Sequence, residues 1–268
     1  MLTRTVIVSA LVALCVSHVS ATVLYDGSLA SKPGDQGWQY LALDPLGNLV
    51  EANQTWASNK TTLDTTGQIT NYAGYGSHNL LGNSSLPSYS LNRTDGFRLT
   101  FDLRIVSEAH DNDDRNSDGV NDRAGFSVVA IAGDLKGIEI GFWEGEVWAY
   151  DYQNVGGTME FVHDEGAAFD PTGSVIRYEL EVAAGATTYT LYADGNSILT
   201  GNLRNYSGQG IPYNRADYLA FSDNTSKAKS KTELARIEVI PEPGAMVLLG
   251  MVGTAMLSRR RRRAGRCS

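Results

Sequence analysis

The densest run of chemistry-bearing side chains is residues 108–123, EAHDNDDRNSDGVNDR. Within it Asp114, Asn116 and Asp118 alternate with other residues, and Gly119 and Asp122 follow. A calcium ion takes about six to eight oxygen ligands, so it needs carboxylates and amides at alternate positions of a tightly turned backbone. Asp114, Asn116 and Asp118 are expected to face one ion, with Gly119 permitting the turn. A backbone carbonyl near Val120 adds a ligand in this reading, and Asp122 closes the shell. Asp111 and Asp113 stand beside the set as further ligands or as bystanders. Six carboxylates lie between Glu108 and Asp122, and they repel one another unless a cation offsets them. The same composition also serves a solvated linker that uses Asp and Asn to cap turns. The expectation is a structural Ca2+ of extracellular-range affinity, ~10⁻⁴–10⁻³ M.

The start of this loop resembles EF-hand loops and the calcium repeats of thrombospondin-type and dockerin modules. An EF-hand expects Glu at the twelfth loop position. Counted from Asp114, that position is Gly125, and no flanking helices are evident. The reading is an EF-like loop inserted between strands.

Glu139 and Glu144 form the best candidate for acid–base work on a glycosidic bond. Laminarinase-type glucanases place two glutamates on one strand with an aspartate between them. Here Gly141 stands where that aspartate would be, and Glu144 sits at an expected turn. Residues i, i+2 and i+4 share a strand face, so a spacing of five points the two glutamates to opposite faces unless a bulge intervenes. A retaining glycosidase needs its carboxyls ~5–5.5 Å apart. Hydrolysis is therefore the lesser alternative. His78, His110 and His163 accompany no nucleophile-elbow motif, and no glycine-rich phosphate loop is present.

Trp143, Trp148, Tyr150 and Tyr152 cluster at one hairpin, and the last three share parity. Exposed, that face is a platform on which sugar rings stack. Covered, it is core.

The elements that position these residues read as strands and turns. Phe97, Leu99, Phe101, Leu103 and Ile105 alternate with Arg98, Thr100, Asp102 and Arg104, the period of a half-buried strand. Further strands are expected at 126–131, 138–143, 146–151, 175–182, 187–193, 197–203, 218–222 and 233–240. Glu144-Gly145, Ala184-Gly185 and Asp194-Gly195 supply turns between neighbours. Helical periodicity is confined to the two ends. Many antiparallel strands with short turns imply an all-β sandwich or barrel, and residues 22–240 suit one such domain.

Residues 1–21 read as a secretory signal peptide, with Arg4, the apolar run Val6 to Val16, and a small residue, Ala21, before the cleavage point. At the other end, Pro241-Glu242-Pro243 is followed by an apolar stretch, 244–257, and by Arg259, Arg260, Arg261, Arg262 and Arg263. Two prolines stop a strand, an apolar helix enters a bilayer, and an arginine cluster holds its end on the cytoplasmic side. The stretch is short for a full span of ~20 residues. The formal charge of −8 conceals an asymmetry, because the region between the ends carries 15 basic and 29 acidic residues, a net −14. Such a domain is not drawn to nucleic acid or to anionic lipid by its mean field. The only cysteines, Cys15 and Cys267, lie in the end segments, so no disulfide framework holds the domain.

The C-terminal arrangement, residues 241–268, resembles the PEP-CTERM sorting signal. That resemblance implies an exosortase-type membrane protease as partner, transient membrane attachment, and an inner-membrane-anchored precursor that passes to the cell surface or extracellular matrix. The domain resembles the choice-of-anchor class of exported bacterial domains and the concanavalin-A-like jelly roll of legume-type lectins and laminin-G-like modules. The features that carry it are Leu24-Tyr25-Asp26-Gly27, the strand at 97–105 with its acidic loop, Glu139-Ile140-Gly141-Phe142-Trp143, and Ala235-Arg236-Ile237-Glu238-Val239. The fold expected is thus an antiparallel jelly-roll sandwich with an N-terminal signal helix and a C-terminal hydrophobic helix. The function expected is non-catalytic, either polysaccharide binding or a structural, adhesive role in the matrix, with a jelly-roll glycoside hydrolase as the lesser alternative.

Overall fold

The computed structural model describes residues 20–67 and 72–242. In chain order it begins with β1 (Thr22–Asp26), β2 (Gln39–Leu43), β3 (Asn53–Ala57), β4 (Lys60–Asp64) and β5 (Tyr72–Gly76). Next come β6 (Phe97–His110), β7 (Phe126–Ile131), β8 (Gly137–Phe142), β9 (Glu146–Val155) and β10 (Thr158–Ala168). The set closes with β11 (Ile176–Val182), β12 (Thr188–Ala193), β13 (Asn196–Asn202), β14 (Tyr218–Asp223) and β15 (Ala228–Pro241).

These strands form two antiparallel sheets in a jelly-roll-like sandwich. The eight-stranded sheet runs β13-β12-β11-β6-β15-β4-β3, with β1 also paired to β15. The seven-stranded sheet runs β10-β9-β8-β7-β14-β5-β2. Alternation decides what each strand buries. In β6, Phe97, Leu99, Phe101, Leu103 and Ile105 point into the sandwich, while Arg98, Asp102 and Arg104 are half-buried on the other face. Between the sheets Phe101 stacks on Tyr178 with ring centroids 5.3 Å apart and meets Phe142 and Phe221 edge-on at 6.1 and 5.5 Å. Each such pair contributes ~0.5–1.5 kcal/mol beyond its buried area.

β7, β8 and β14 are buried at every residue, which happens only when both faces of a strand are covered. The outer face of the seven-stranded sheet carries a second apolar layer: Val129, Ile131, Trp148, Tyr150, Phe161, Tyr218 and Ala220. Ala124, from the segment before β7, and Tyr206 and Tyr213, from the β13–β14 connection (residues 203–217), lie against it. Hydrogen bonds fix this cover. Tyr206 Oη donates to Tyr150 O at 2.6 Å and accepts from Glu139 N at 3.3 Å, and Ala124 N donates to Tyr150 Oη at 2.7 Å.

The expected fold class needs correction in its helices. Among the described residues the helical elements are three short 3₁₀ turns, Gly27–Leu29, Pro33–Gln36 and Ser207–Gln209. The sandwich is therefore all-strand over the described residues, because its backbone groups find their partners across ladders. Residues 1–19 and 243–268, on which the two helices were expected, lie outside the described residues, as do Pro243, Arg259, Arg260, Arg261, Arg262 and Arg263. The expected inner-membrane-anchored precursor is corrected likewise: among the described residues no helix is long and apolar enough to cross a membrane. Pro241 ends β15 opposite Phe97, and Glu242 continues the edge, its N–H donating to Gly96 O at 3.1 Å and its carboxylate 3.3 Å from Arg98 Nε.

β1 to β5 and β10 have no counterpart among the expected strands. β10 follows a Gly156-Gly157 turn in which both residues have positive φ, 61° and 99°, a hairpin signal. Its mixed sequence, TMEFVHDEGAA, masks the alternation.

Candidate active site

Ile138, Ile140 and Phe142 of β8 face the core, so Glu139, between them, faces the covered outer layer. It is fully buried. Its Oε2 accepts from Tyr213 Oη at 2.6 Å, and its Oε1 accepts from Asn224 Nδ2 at 3.3 Å. Asn224 Nδ2 also donates to Tyr213 Oη at 2.6 Å, so the phenol oxygen accepts one hydrogen bond and donates another. Gly141 shares the face of Glu139 and makes room: a Cβ there would meet Tyr150 Oη at 2.8 Å and Ala124 Cβ at 3.0 Å.

Arg123 completes the cluster. Only 4% exposed, its guanidinium lies 4.7 Å from the Tyr150 ring centroid and 5.4 Å from that of Phe161, cation–π distances. Nη2 donates to Asn224 O at 2.6 Å and stands 3.8 Å from Glu139 Oε1, while Nε and Nη1 have no hydrogen-bond partner. Burial works against its charge, but the negative fields of Tyr150 and Glu139 outweigh that and raise its pKa.

Beside these residues opens a cavity of about 520 Å³. Arg123, Tyr213 and Asn224 line it with Tyr72, His78, Arg215 and Tyr218, as do the exposed Leu80 and Ile211. Its titratable groups are pushed apart. Burial and then the negative charge of Glu139 hold the Tyr213 phenol well above its ordinary pKa. Burial raises Tyr218 in the same direction and pushes Tyr72 up to about 12. Burial and then the positive charge of Arg215 push His78 down. At neutral pH the cavity thus holds a neutral imidazole, which takes a proton, and protonated phenols, which give one.

The residues singled out from sequence are placed as follows. Asp114 and Asp118 are exposed and Asn116 is half-buried, and they bond within their own loop: Asp114 accepts from Asp118 N at 3.0 Å and Gly119 N at 2.9 Å, and Asp118 accepts from Asn116 Nδ2 at 2.7 Å and Val120 N at 2.9 Å. Asp122 is buried, and its two carboxylate oxygens accept from Arg115 N at 2.5 Å and His163 N at 2.7 Å. It joins the loop to β10. Among the described residues no group of three or more His, Cys, Asp or Glu side chains is arranged to hold a metal.

Trp148 and Tyr150 are fully buried in the outer apolar layer, and Trp143 and Tyr152 pack partly buried against it. They support the site from below, since Trp148 stacks on His163 at 4.9 Å and Tyr150 holds Ala124 and Tyr206. Glu144 Oε1 accepts from Glu108 N at 3.1 Å, away from Glu139. Glu146 shares the outer face but bonds to His163 Nε2 at 3.1 Å. It lies four residues along β9 from Tyr150, ~13 Å of strand.

Sequence reading did not single out Arg123, Tyr213, Arg215 or Asn224. One signal was available: the β13–β14 connection is 15 residues long, and long connections without strands of their own often carry function.

No protein-family model and no curated protein matches the sequence. Among solved structures, the chain is similar to a carbohydrate esterase, vb_24B_21, from the Shiga toxin-encoding bacteriophage phi24B, with TM-score 0.52 and 13% identity over 83% of this chain and 100% of that one. It also matches a sialidase (TM-score 0.44, 11% identity, 81% of this chain and 18% of that one) and β-agarase A in complex with oligoagarose (TM-score 0.45, 8% identity, 78% and 84%). At these identities the likeness is one of fold. The esterase that shares the sandwich is an enzyme, so the fold lends no support to the expectation of a non-catalytic lectin-like or adhesive protein.

Proposed function

We propose that this domain is a carbohydrate-active enzyme. Its glycan lies against the outer face of the seven-stranded sheet, and its chemistry is proton transfer between substrate and the groups of the Tyr213 cavity. The observation that carries the reading is the buried Glu139–Tyr213–Asn224–Arg123 cluster at the wall of a 520 Å³ cavity that His78 also lines. The sandwich shared with the phage carbohydrate esterase supports the substrate class.

Each group has a role in this reading. With Nδ1–H donating to Ser77 Oγ, 2.9 Å away, His78 presents Nε2 as the base. Tyr213 passes protons between substrate and Glu139. As a proton reaches the phenol oxygen, the phenol's own proton crosses the 2.6 Å bond to Glu139, and the reverse step delivers it. Arg123 and Asn224 stabilise negative charge that develops on the substrate, as preorganised donors do. One proton taken and one given is common to glycan hydrolysis, deacylation and elimination.

The test incubates the full chain with a panel of acidic, neutral and acylated polysaccharides. Three products are followed: new reducing ends, released acid, and the ultraviolet absorbance of a new sugar double bond. Turnover on one polysaccharide, lost in Tyr213→Phe, is the expected result. No product from any of them, with the protein folded by circular dichroism, would overturn the proposal.

A further inference from the structure

The cavity differs in charge from the protein that contains it. The domain carries a net −14, yet among the described residues no Asp or Glu lines the cavity, while Arg115, Arg123, Arg215 and His78 do. Arg115 is more than offset by Asp113 at 2.9 Å and Glu160 at 2.6 Å and supplies no positive field. The other two arginines are under-used. The nearest carboxylate oxygen to Arg123 is 3.8 Å away, beyond hydrogen-bond reach, and its Nε and Nη1 are buried without partners. Arg215 makes no ion pair among the described residues. Its Nη2 donates to Leu80 O, and its buried Nε has no partner. Gly82 lets it pack there, since a Cβ at that position would meet Arg215 Nη1 at 2.2 Å. Buried guanidinium groups left short of acceptors favour an anion brought beside them. The planar fork of arginine matches a two-oxygen acid group better than it matches hydroxyls.

We infer that the glycan handled here is anionic, with a carboxylate or sulfate substituent of one sugar held by Arg123 and Arg215 inside the cavity. The inference rests on the reading of this cavity as a carbohydrate site and narrows its substrate class. A neutral glycan offers the guanidinium groups only single hydroxyl acceptors, whereas an acid group offers two charged oxygens that match the arginine fork and places its charge beside the groups that move protons.

The experiment measures binding of matched oligosaccharides to the full chain by calorimetry. The probes are oligogalacturonate, its methyl ester, and a sulfated galactan oligomer with its desulfated form. Tighter binding of at least one charged member than of its neutral partner, by about tenfold or more, is expected, and the member that shows it identifies the acid group. Arg215→Gln should weaken that binding by roughly tenfold to a hundredfold, and Arg215→Lys should restore part of it. Equal binding of charged and neutral members would overturn the anionic assignment and leave the carbohydrate reading standing. Binding of none of them, together with no turnover on the polysaccharide panel, would overturn both.

Discussion

Tyr213 is the residue on which the chemistry turns. It accepts from Asn224 and donates to Glu139, each at 2.6 Å, so Tyr213→Phe removes both bonds while keeping the ring that packs on Phe161 at 5.1 Å. Turnover should fall by about 10²–10⁴-fold, the usual worth of a positioned acid or base. Stability should fall by only about 1–3 kcal/mol, the cost of a buried polar group left short of a partner. Steady-state kinetics and urea unfolding separate the two effects. His78 supplies a second check. Its imidazole is pushed down by burial and by Arg215, and only the neutral form takes a proton. The acid limb of the pH–rate profile should therefore fall below the ordinary histidine value of about 6.5, and activity should be lost as pH drops through it. In Arg215→Gln, with the repelling charge gone, that limb should move up toward 6.5.

At the scale of elements, the site depends on a cover that is not part of either sheet. The β13–β14 connection brings Tyr206 and Tyr213 over the outer face of β8 and β9, and β10 adds Phe161 and His163 at the edge. Tyr206 is the fastener, bonded to Tyr150 O and Glu139 N. Tyr206→Phe should destabilise the fold by about 1–3 kcal/mol, because two buried backbone groups lose their partner. It should also loosen Tyr213, whose ring lies 5.8 Å away. Hydrogen exchange is expected to rise over residues 203–217 more than over β6 or β15. Uniform loss of protection would argue that the connection is not a separate cooperative unit.

Across the whole molecule, acidity and burial meet at Asp223, the last residue of β14. It is fully buried beside Lys229, whose Nζ lies 3.2 Å from Oδ2, and burial raises its pKa from 3.8 to about 6. A carboxyl with a raised folded-state pKa binds its proton more tightly when folded. Its contribution to stability is full below about 3.8 and is lost as pH rises through about 6. Relative to wild type, Asp223→Asn should flatten the change in unfolding midpoint across this window. An unchanged slope in urea titrations at several pH values would show that Asp223 does not titrate there.

What was legible locally was the sandwich. The alternation of Phe97 to Ile105 and the hairpins across Glu144-Gly145 and Asp194-Gly195 follow from side-chain period and turn chemistry, and the ladders pair accordingly. At Asp194 and Gly195 both φ values are positive, 47° and 78°, the conformation that such a two-residue turn requires. The parity of Trp148, Tyr150 and Tyr152 was also readable, but parity does not say whether a face is wet. The connection at 203–217 decided that by folding over it, and a platform became a buried layer. The acidic loop shows the same limit, because spacing alone cannot turn a carboxylate, and tertiary contacts aim Asp122 at the backbone of Arg115 and His163. The candidate site lay further beyond the sequence. Arg123, Glu139, Tyr213 and Asn224 come from four separate stretches of chain, and no local pattern relates them. Sequence by itself determined an acidic, cysteine-free, strand-and-turn domain, since composition and period are local properties. Only the tertiary structure decided which polar groups meet inside it, because that depends on which strands become neighbours and on what the β13–β14 connection covers.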